Sequence, residues 1–348
     1  APTFEVTPDR LIIDAAETLT IVFSESMQTA SLDLGGSLGL LANDAWGADD
    51  VVNDTLELSP DPSWPLGVGD VDITVEDLGG NVVTLSFQVT VLDHVLHVST
   101  AGLDTNAGTA TSPLATLNGA KARMIEVYGN NQPAAAHVTG GTFETNGVAL
   151  DLPMSVYCGY ASDFSSRDIV AHETIFEDTR TGAGGTSNDP VTALFIWAVP
   201  SITVDGCTID AASATSAQAI SLARPAIVSN NHLIVDAAST YAYGMIVDNA
   251  TMTGQQQVLG NVIEVSGGSE VSVGIYQFIT GVNLTHTAAV RDNVIVVQNG
   301  GKNSQGINTR PFGIFDGVIQ YVTVDGEISG NDISVTSTFS GSSGQAYG

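Results

Sequence analysis

The chain has 348 residues, 43% of them apolar and 37 of them glycine, and its 38 acidic side chains against nine basic ones give a formal net charge of -29. This length exceeds one ordinary domain and suits two, and the frequent Val, Ile and Thr predict an ordered, β-rich protein. The charge argues against nucleic-acid phosphates and anionic lipid headgroups as partners, and no apolar run reaches the roughly 18 residues that would predict membrane insertion.

Ala1-Pro2-Thr3 reads as a mature or excised start, with no signal peptide. Up to residue 92 the chain is a succession of short alternating runs: Phe4-Glu5-Val6, Leu11-Ile12-Ile13, Leu19-Thr20-Ile21-Val22-Phe23, Thr55-Leu56-Glu57-Leu58, Val71-Asp72-Ile73-Thr74-Val75 and Val82 through Val91. About seven strands in 90 residues, separated by Pro, Gly and Asp clusters, predict an immunoglobulin-like β-sandwich. Asp77-Leu78-Gly79-Gly80-Asn81 reads as a hairpin loop. Trp46 and Trp64 are expected as core or rim aromatics, a sugar-stacking role being the alternative.

Several of these segments carry a resemblance. Phe23-Ser24-Glu25-Ser26-Met27, Asn53-Asp54-Thr55-Leu56-Glu57-Leu58-Ser59-Pro60, Trp64-Pro65 and the Asp77 loop resemble the bacterial Ig-like domains of surface-layer and other exported proteins. The resemblance implies a spacer or presentation module outside the cytoplasm, without catalytic residues of its own.

Residues 93–133 read as an opening strand, a turn-rich loop and one helix. Leu114, Leu117, Ala120, Met124 and Ile125 share a face at the helical period, and Ser112 before Pro113 is the expected start. An amphipathic helix here would cover the open apolar end of the solenoid that follows.

Residues 134–348 are organised by a repeat. Asn231-His232-Leu233-Ile234-Val235, Asn261-Val262-Ile263-Glu264-Val265, Asn293-Val294-Ile295-Val296-Val297 and Asn331-Asp332-Ile333-Ser334-Val335 place their asparagines 30, 32 and 38 residues apart. Gly244-Met245-Ile246, Gly274-Ile275, Gly306-Ile307 and Tyr347-Gly348 interleave with them. The apolar residues lie two apart, so on a strand all point into one bore, and each turn buries that face by stacking on the next. The prediction is a right-handed parallel β-helix. The competing fold, an antiparallel sandwich with Asn-Gly turns, would need turn signals every 8 to 12 residues at more even spacing. At each bend an Asn is expected in the left-handed conformation, and successive Asn side chains are expected to form a ladder. Val204-Asp205-Gly206 and Val324-Asp325-Gly326 extend the pattern to roughly seven coils between Val138 and Gly348. The chain stops on the phrase that opens a turn elsewhere, so an unfinished last coil is expected. Residues 179–190, rich in glycine, read as a loop bulging from the wall.

A second resemblance lies at Val98-Ser99-x-x-Gly102-x-Asp104-x-Asn106-x-Gly108-Thr109-x-x-Ser112-Pro113-x-x-Thr116-Leu117 and at Cys158-Gly159-Tyr160-Ala161-Ser162-Asp163-Phe164-Ser165-Ser166-Arg167-Asp168. Both are similar to segments of pectate-lyase-like β-helix domains in bacterial exported proteins, with Cys158 standing where a glycine is usual. The resemblance implies the fold; it leaves function open, because this architecture serves lyases, hydrolases, adhesins and passive stalks alike.

Candidate chemistry is sparse. Cys158 and Cys207, 49 residues apart, read either as a disulfide between coils or as two buried thiols. A lyase would need a basic residue beside a uronate, for which Arg224 and Arg310, each followed by proline, are the candidates. A hydrolase would need clustered carboxylates, whereas Asp205, Asp248, Asp292, Asp316, Asp325 and Asp332 read as single turn residues. The acidity itself reads as a solvating face or as a surface that gathers cations, which makes calcium the one cofactor considered. Asn53, Asn249 and Asn283 match the glycosylation pattern, which carries little weight in a bacterial-looking protein.

The combined expectation is an all-β protein with a sandwich over 1–92, an opening strand, loop and capping helix over 93–133 and β-helical coils over 134–348. Its expected role is that of a non-enzymatic extracellular or cell-surface rod for adhesion or assembly, partnered by copies of itself or by cell-surface glycans. The alternatives are a carbohydrate-active enzyme on the same fold and a calcium-dependent carbohydrate-binding module.

Overall fold

The computed structural model describes residues 2–7, 11–178, 180, 191–197, 202–213, 215–237, 240–248, 255–280, 285–300, 302–312, 314–315, 318–319, 323–324, 327–337 and 345–347. Contacts divide the chain into two units, Ala1–Val95 with Arg123–Gly129, and Leu96–Ala122 with Asn130–Gly348.

The first unit is a β-sandwich. One sheet orders Phe4–Thr7, Leu19–Phe23, Val52–Ser59 and Asn43–Ala48; the other orders Ile12–Asp14, Val82–Leu92, Gly67–Glu76 and Asp33–Gly35. Alternation decides what is inside: Leu19, Ile21 and Phe23 meet Leu56, Leu58, Val71, Ile73 and Val75, all 2% exposed or less. Each such side chain contributes about 1.5–3 kcal/mol on burial. Trp64 belongs to this core and donates its indole N–H to Glu17 O at 2.7 Å, and Trp46 stacks on Phe23 at 6.1 Å. The expected hairpin joins Gly67–Glu76 to Val82–Leu92. Its loop is organised by the buried Asp77, whose carboxylate accepts from the backbone N–H groups of Gly79 and Asn81 and from the Asn81 amide.

In the second unit three sheets run side by side through seven turns of chain. The first passes from Val95–Val98 through Ala134–Thr139, Met154–Tyr160, Ile202–Asp205, Ala226–Ser229 and Gln255–Leu259 to Thr285–Arg291, against which Thr323–Val324 and Glu327–Ser329 both pair. The second comprises Gly141–Glu144, Thr174–Asp178, Thr208–Ser213, His232–Ala237, Val262–Gly267, Val294–Gly300 and Asp332–Ser337. The third comprises Val148–Leu150, Val191–Ile196, Ser216–Leu222, Tyr241–Asp248, Val271–Thr280, Asn303–Phe312 and Gln345–Tyr347. The short pair Ile314–Phe315 and Val318–Ile319 lies outside these three sheets and is antiparallel; from Ala134–Thr139 onward neighbouring strands within the sheets are parallel and come from successive turns. Such crossovers are right-handed in nearly all proteins, so this is a right-handed parallel β-helix.

The bore stacks like on like. On the second sheet Phe176, Ile209, Leu233, Ile263 and Ile295 are successive register partners, each 1% exposed or less, and Ala211, Val235, Val265 and Val297 form the next file inward. The two interleaved phrases prove to be one packing device. A Cβ on Gly244, Gly274 or Gly306 would lie 2.4, 2.3 or 2.2 Å from Cγ2 of Ile263, Ile295 or Ile333, so each glycine yields its space to the isoleucine one turn later.

The helix spans Leu117–Tyr128 and starts later than Ser112. Leu114 instead bridges Val98, and Ser112 closes a tight turn on Thr109. The cap is Thr116, whose Oγ1 accepts from Gly119 N at 2.9 Å while its own N–H and hydroxyl are held by Asp104. The buried face is Leu117, Ala120, Met124, Val127 and Tyr128, and Ile125 points outward. Lys121 donates to Ala149 O and pairs with Asp151 in the first coil.

Candidate functional site

The corner between the first and second sheets is where the repeat's polar residues gather. Its asparagines form a buried ladder. The backbone N–H and Nδ2 of Asn231 both donate to Oδ1 of Asn261, those of Asn261 to Asn293, and those of Asn293 to Asn331, at 2.9–3.1 Å. Each Nδ2 also donates to a carbonyl of the preceding turn, Val204, Val228, Val258 and Val290 in order. The left-handed residue is the one before the ladder position: Gly206, Asn230, Gly260, Asp292 and Gly330 have φ between 55° and 74°. That corrects the expectation that the ladder asparagines take this conformation. The bend turns the chain, and the residue after it is left in extended backbone with its amide aimed inward.

At the head of the ladder the asparagine is replaced by a cysteine. Cys207 N donates to Asn231 Oδ1 at 2.9 Å, and its sulfur is bonded to Cys158 one turn earlier. Both are buried, and no free cysteine is present.

The segment 161–173 rises over this corner and explains the motif that begins at Cys158. Arg167 donates Nε to Cys158 O at 2.7 Å, forms an ion pair with Asp205, and lies 5.7 and 5.9 Å from the ring centroids of Tyr157 and Tyr160. Tyr160 stacks on His137 at 4.3 Å, and Phe164 meets His97 edge-on at 4.6 Å. Burial opposes ionisation of Asp205, but hydrogen bonds from Ser229, Arg167 and Asn230 and the guanidinium charge prevail and hold its carboxyl below the usual range. Asp205 is therefore a hub of contacts, where sequence suggested a solitary turn residue.

The outer wall of the second sheet concentrates carboxylates. Glu144, Glu177 and Asp210 are register partners in three successive turns, and Asp236 and His232 flank Asp210 on the next strand. Burial raises the Asp210 carboxyl above its ordinary value, the charges of Glu177 and Asp236 raise it further, and His232 opposes them. The sequence held a signal for this row, since residues 144, 177 and 210 are each 33 apart, the coil period. Among the described residues no group of three or more His, Cys, Asp or Glu is placed to hold a metal ion.

Beside this wall a groove of about 470 Å³ follows the corner, bordered by Ile169, Val170 and Glu173 of the raised segment and by Thr208, Asn230 and His232. Glu173 accepts from the Thr208 hydroxyl at 2.9 Å, and His232 Nε2 lies 3.5 Å from Glu264 without a hydrogen-bond partner.

Arg224 sits half-buried in the bend after Ser216–Leu222, and Arg310 lies on Asn303–Phe312, three strands further along the third sheet. At roughly 4.8 Å per strand the two backbone positions are about 14 Å apart along the stack. The Arg310 side chain falls outside the described residues, as do Asp316, Asp325, Asn249, Asn283, the Asp248 side chain and residues 181–190 of the expected loop.

No protein-family model and no curated protein matches the chain. Among solved structures it is similar to PcoC, a methionine-rich copper resistance protein from Escherichia coli, at 20% identity over 23% of this chain and 86% of that one, with a TM-score of 0.21. CopC from Methylosinus trichosporium OB3b is 18% identical over 26% of this chain and 93% of that one, with a TM-score of 0.23. A family 28 exopolygalacturonase of Yersinia enterocolitica is 8% identical over 100% of this chain and 98% of that one, with a TM-score of 0.18. Likenesses this distant assign no family, and no functional residue is carried over from them.

Proposed function

We propose that the chain is a non-enzymatic extracellular or cell-surface protein in which the β-helix serves as a stiff rod for adhesion or assembly and the sandwich as an Ig-like spacer. The observation that carries this reading is the continuous ladder Cys207, Asn231, Asn261, Asn293 and Asn331, which ties successive turns through buried polar bonds. A satisfied buried network fixes one register and resists bending. The pairing of Lys121, Arg123, Arg167, Arg180, Arg291 and Lys302 with carboxylates adds support, because it leaves those bases committed to structure. The disulfide favours an oxidising compartment. The test is to follow the full chain by light scattering and electron microscopy across a dilution series and on a glycan array. Concentration-dependent assembly or glycan binding without turnover is expected; the absence of both would defeat the reading.

The raised Asp210 carboxyl beside Glu177 favours a second reading, a glycoside hydrolase with Asp210 as acid. Reducing ends released from a polysaccharide by the wild type and not by Asp210→Asn would establish it and displace the first. Unsaturated products that depend on Arg224 or Arg310 would point instead to a lyase.

A further inference from the structure

We propose that the corner groove beside the raised segment binds a neutral sugar unit, a reading that rests on the adhesive role above and supplies its ligand. A volume of about 470 Å³ falls within the range of small-molecule sites, roughly 300–1,000 Å³. The two halves of the groove differ in chemistry. Ile169, Val170 and Val262 give it an apolar side, and Val170 is 87% exposed.

Glu173 and Asn230 give it a polar side with capacity to spare. One oxygen of Glu173 accepts from Thr208, which leaves the other for a ligand hydroxyl. The Asn230 amide nitrogen is committed to Asp205, while its oxygen faces the Gly260 corner, where an added Cβ would stand 3.2 Å away. His232 Nε2 is itself buried, 3.5 Å from Glu264, so the ring borders the groove without offering this nitrogen to a ligand.

Charge then selects the ligand. Among the described residues no Lys or Arg lines the groove; Arg167, beside its Gly206 edge, is paired with Asp205, and Glu264 and Asp210 stand nearby on the wall, so a carboxylate, sulfate or phosphate would enter without a free basic partner. A wholly apolar ligand would leave Glu173 and the Asn230 oxygen unanswered, and a small bare cation would leave the apolar side empty. A hydroxyl-bearing, uncharged ring with one C–H face satisfies both halves.

The experiment is an NMR titration of the full chain with glucose, galactose, mannose, glucosamine and galacturonate. At least one neutral hexose is expected to bind with Kd on the order of 1 mM, and galacturonate is expected not to bind. Glu173→Gln, which keeps a hydrogen-bond acceptor for Thr208, and Val262→Arg, which fills the groove from an outward position, should each weaken binding roughly tenfold. The proposal is overturned if no neutral hexose binds, if galacturonate or glucosamine binds more than about tenfold tighter, or if both variants bind like the wild type. Array binding by the full chain that survives both variants would remove this groove and leave the adhesive role standing.

Discussion

Gly274 and Ile295 occupy a single space in the bore: a Cβ on the glycine would come within 2.3 Å of the isoleucine Cγ2 one turn later. The glycine has no left-handed φ, so packing alone accounts for it. Gly274→Ala should cost about 1–3 kcal/mol by overpacking, and Ile295→Ala, which removes that Cγ2, should couple with it so that the double variant loses less than the sum of the two single losses. Urea titration of the single and double variants checks this; additive losses would contradict the interlock.

The ladder makes a larger prediction. Asn261→Ala strands the Asn231 backbone N–H, takes one of the two acceptors of the Asn231 Nδ2, and removes the donor to Val228 O and the side-chain donor to Asn293 Oδ1. Each buried group left unpaired costs about 1–3 kcal/mol, so the loss should exceed that of Val258→Ala on the first sheet. Equal losses in chemical denaturation would mean the ladder is incidental to stability.

The Cys158–Cys207 bond closes a span of 49 residues between turns. Cys158→Ser with Cys207→Ser, or reduction of the wild type, should lower stability by about 3–4 kcal/mol on the chain-entropy account. Differential scanning calorimetry with and without reductant reads the effect, and an unchanged transition would exclude a structural role.

Asp54 offers a pH test in the first unit. Its carboxylate accepts from the backbone N–H groups of Val51, Asp49 and Asp50 and from the Thr55 hydroxyl, and these bonds, led by Val51 and opposed by burial, hold it down at about 2. A depressed folded value means a contribution fully present above the unfolded value near 4 and lost as pH falls toward about 2. Asp54→Ala should therefore melt about 5 °C lower at neutral pH, with the gap closing in that acid window.

Asp210 carries the opposite sign. Its raised folded value means that its protonated form is the one folding favours, so its contribution is present below the unfolded value and lost as pH rises through the folded one. Asp210→Asn should melt above the wild type at pH 7, with the difference vanishing below about pH 4. A destabilised variant at neutral pH would show that the charge is wanted there.

Much of the second unit was legible in sequence because stacking turns repeats local chemistry at a fixed period. Apolar residues two apart name the bore, and asparagines 30 to 38 apart name the corner. Alternation did the same for the sandwich strands, although Asp33–Gly35 and Asn43–Ala48, too polar to alternate clearly, went unread. Which residue of each bend is left-handed was not legible, since Asn230, Gly260 and Asp292 and the asparagines after them all tolerate that conformation. Only the stacked ladder decides between them, by requiring the second residue's amide inside. The helix start differs from the expected Ser112, because Ser112 and Thr116 are both good caps until Asp104, folded back from the preceding loop, selects one.

The sequence by itself determined the architecture: a period-2 pattern inside a period of 30 to 38 residues has one economical solution, a coil whose turns bury one another's inner faces. Tertiary structure alone decided the chemistry. Whether Cys158 meets Cys207, whether Asp210 is crowded by Glu177 and Asp236, and whether Arg224 and Arg310 meet depend on coil lengths and strand register. Those set distances between turns, which pattern along one strand does not record.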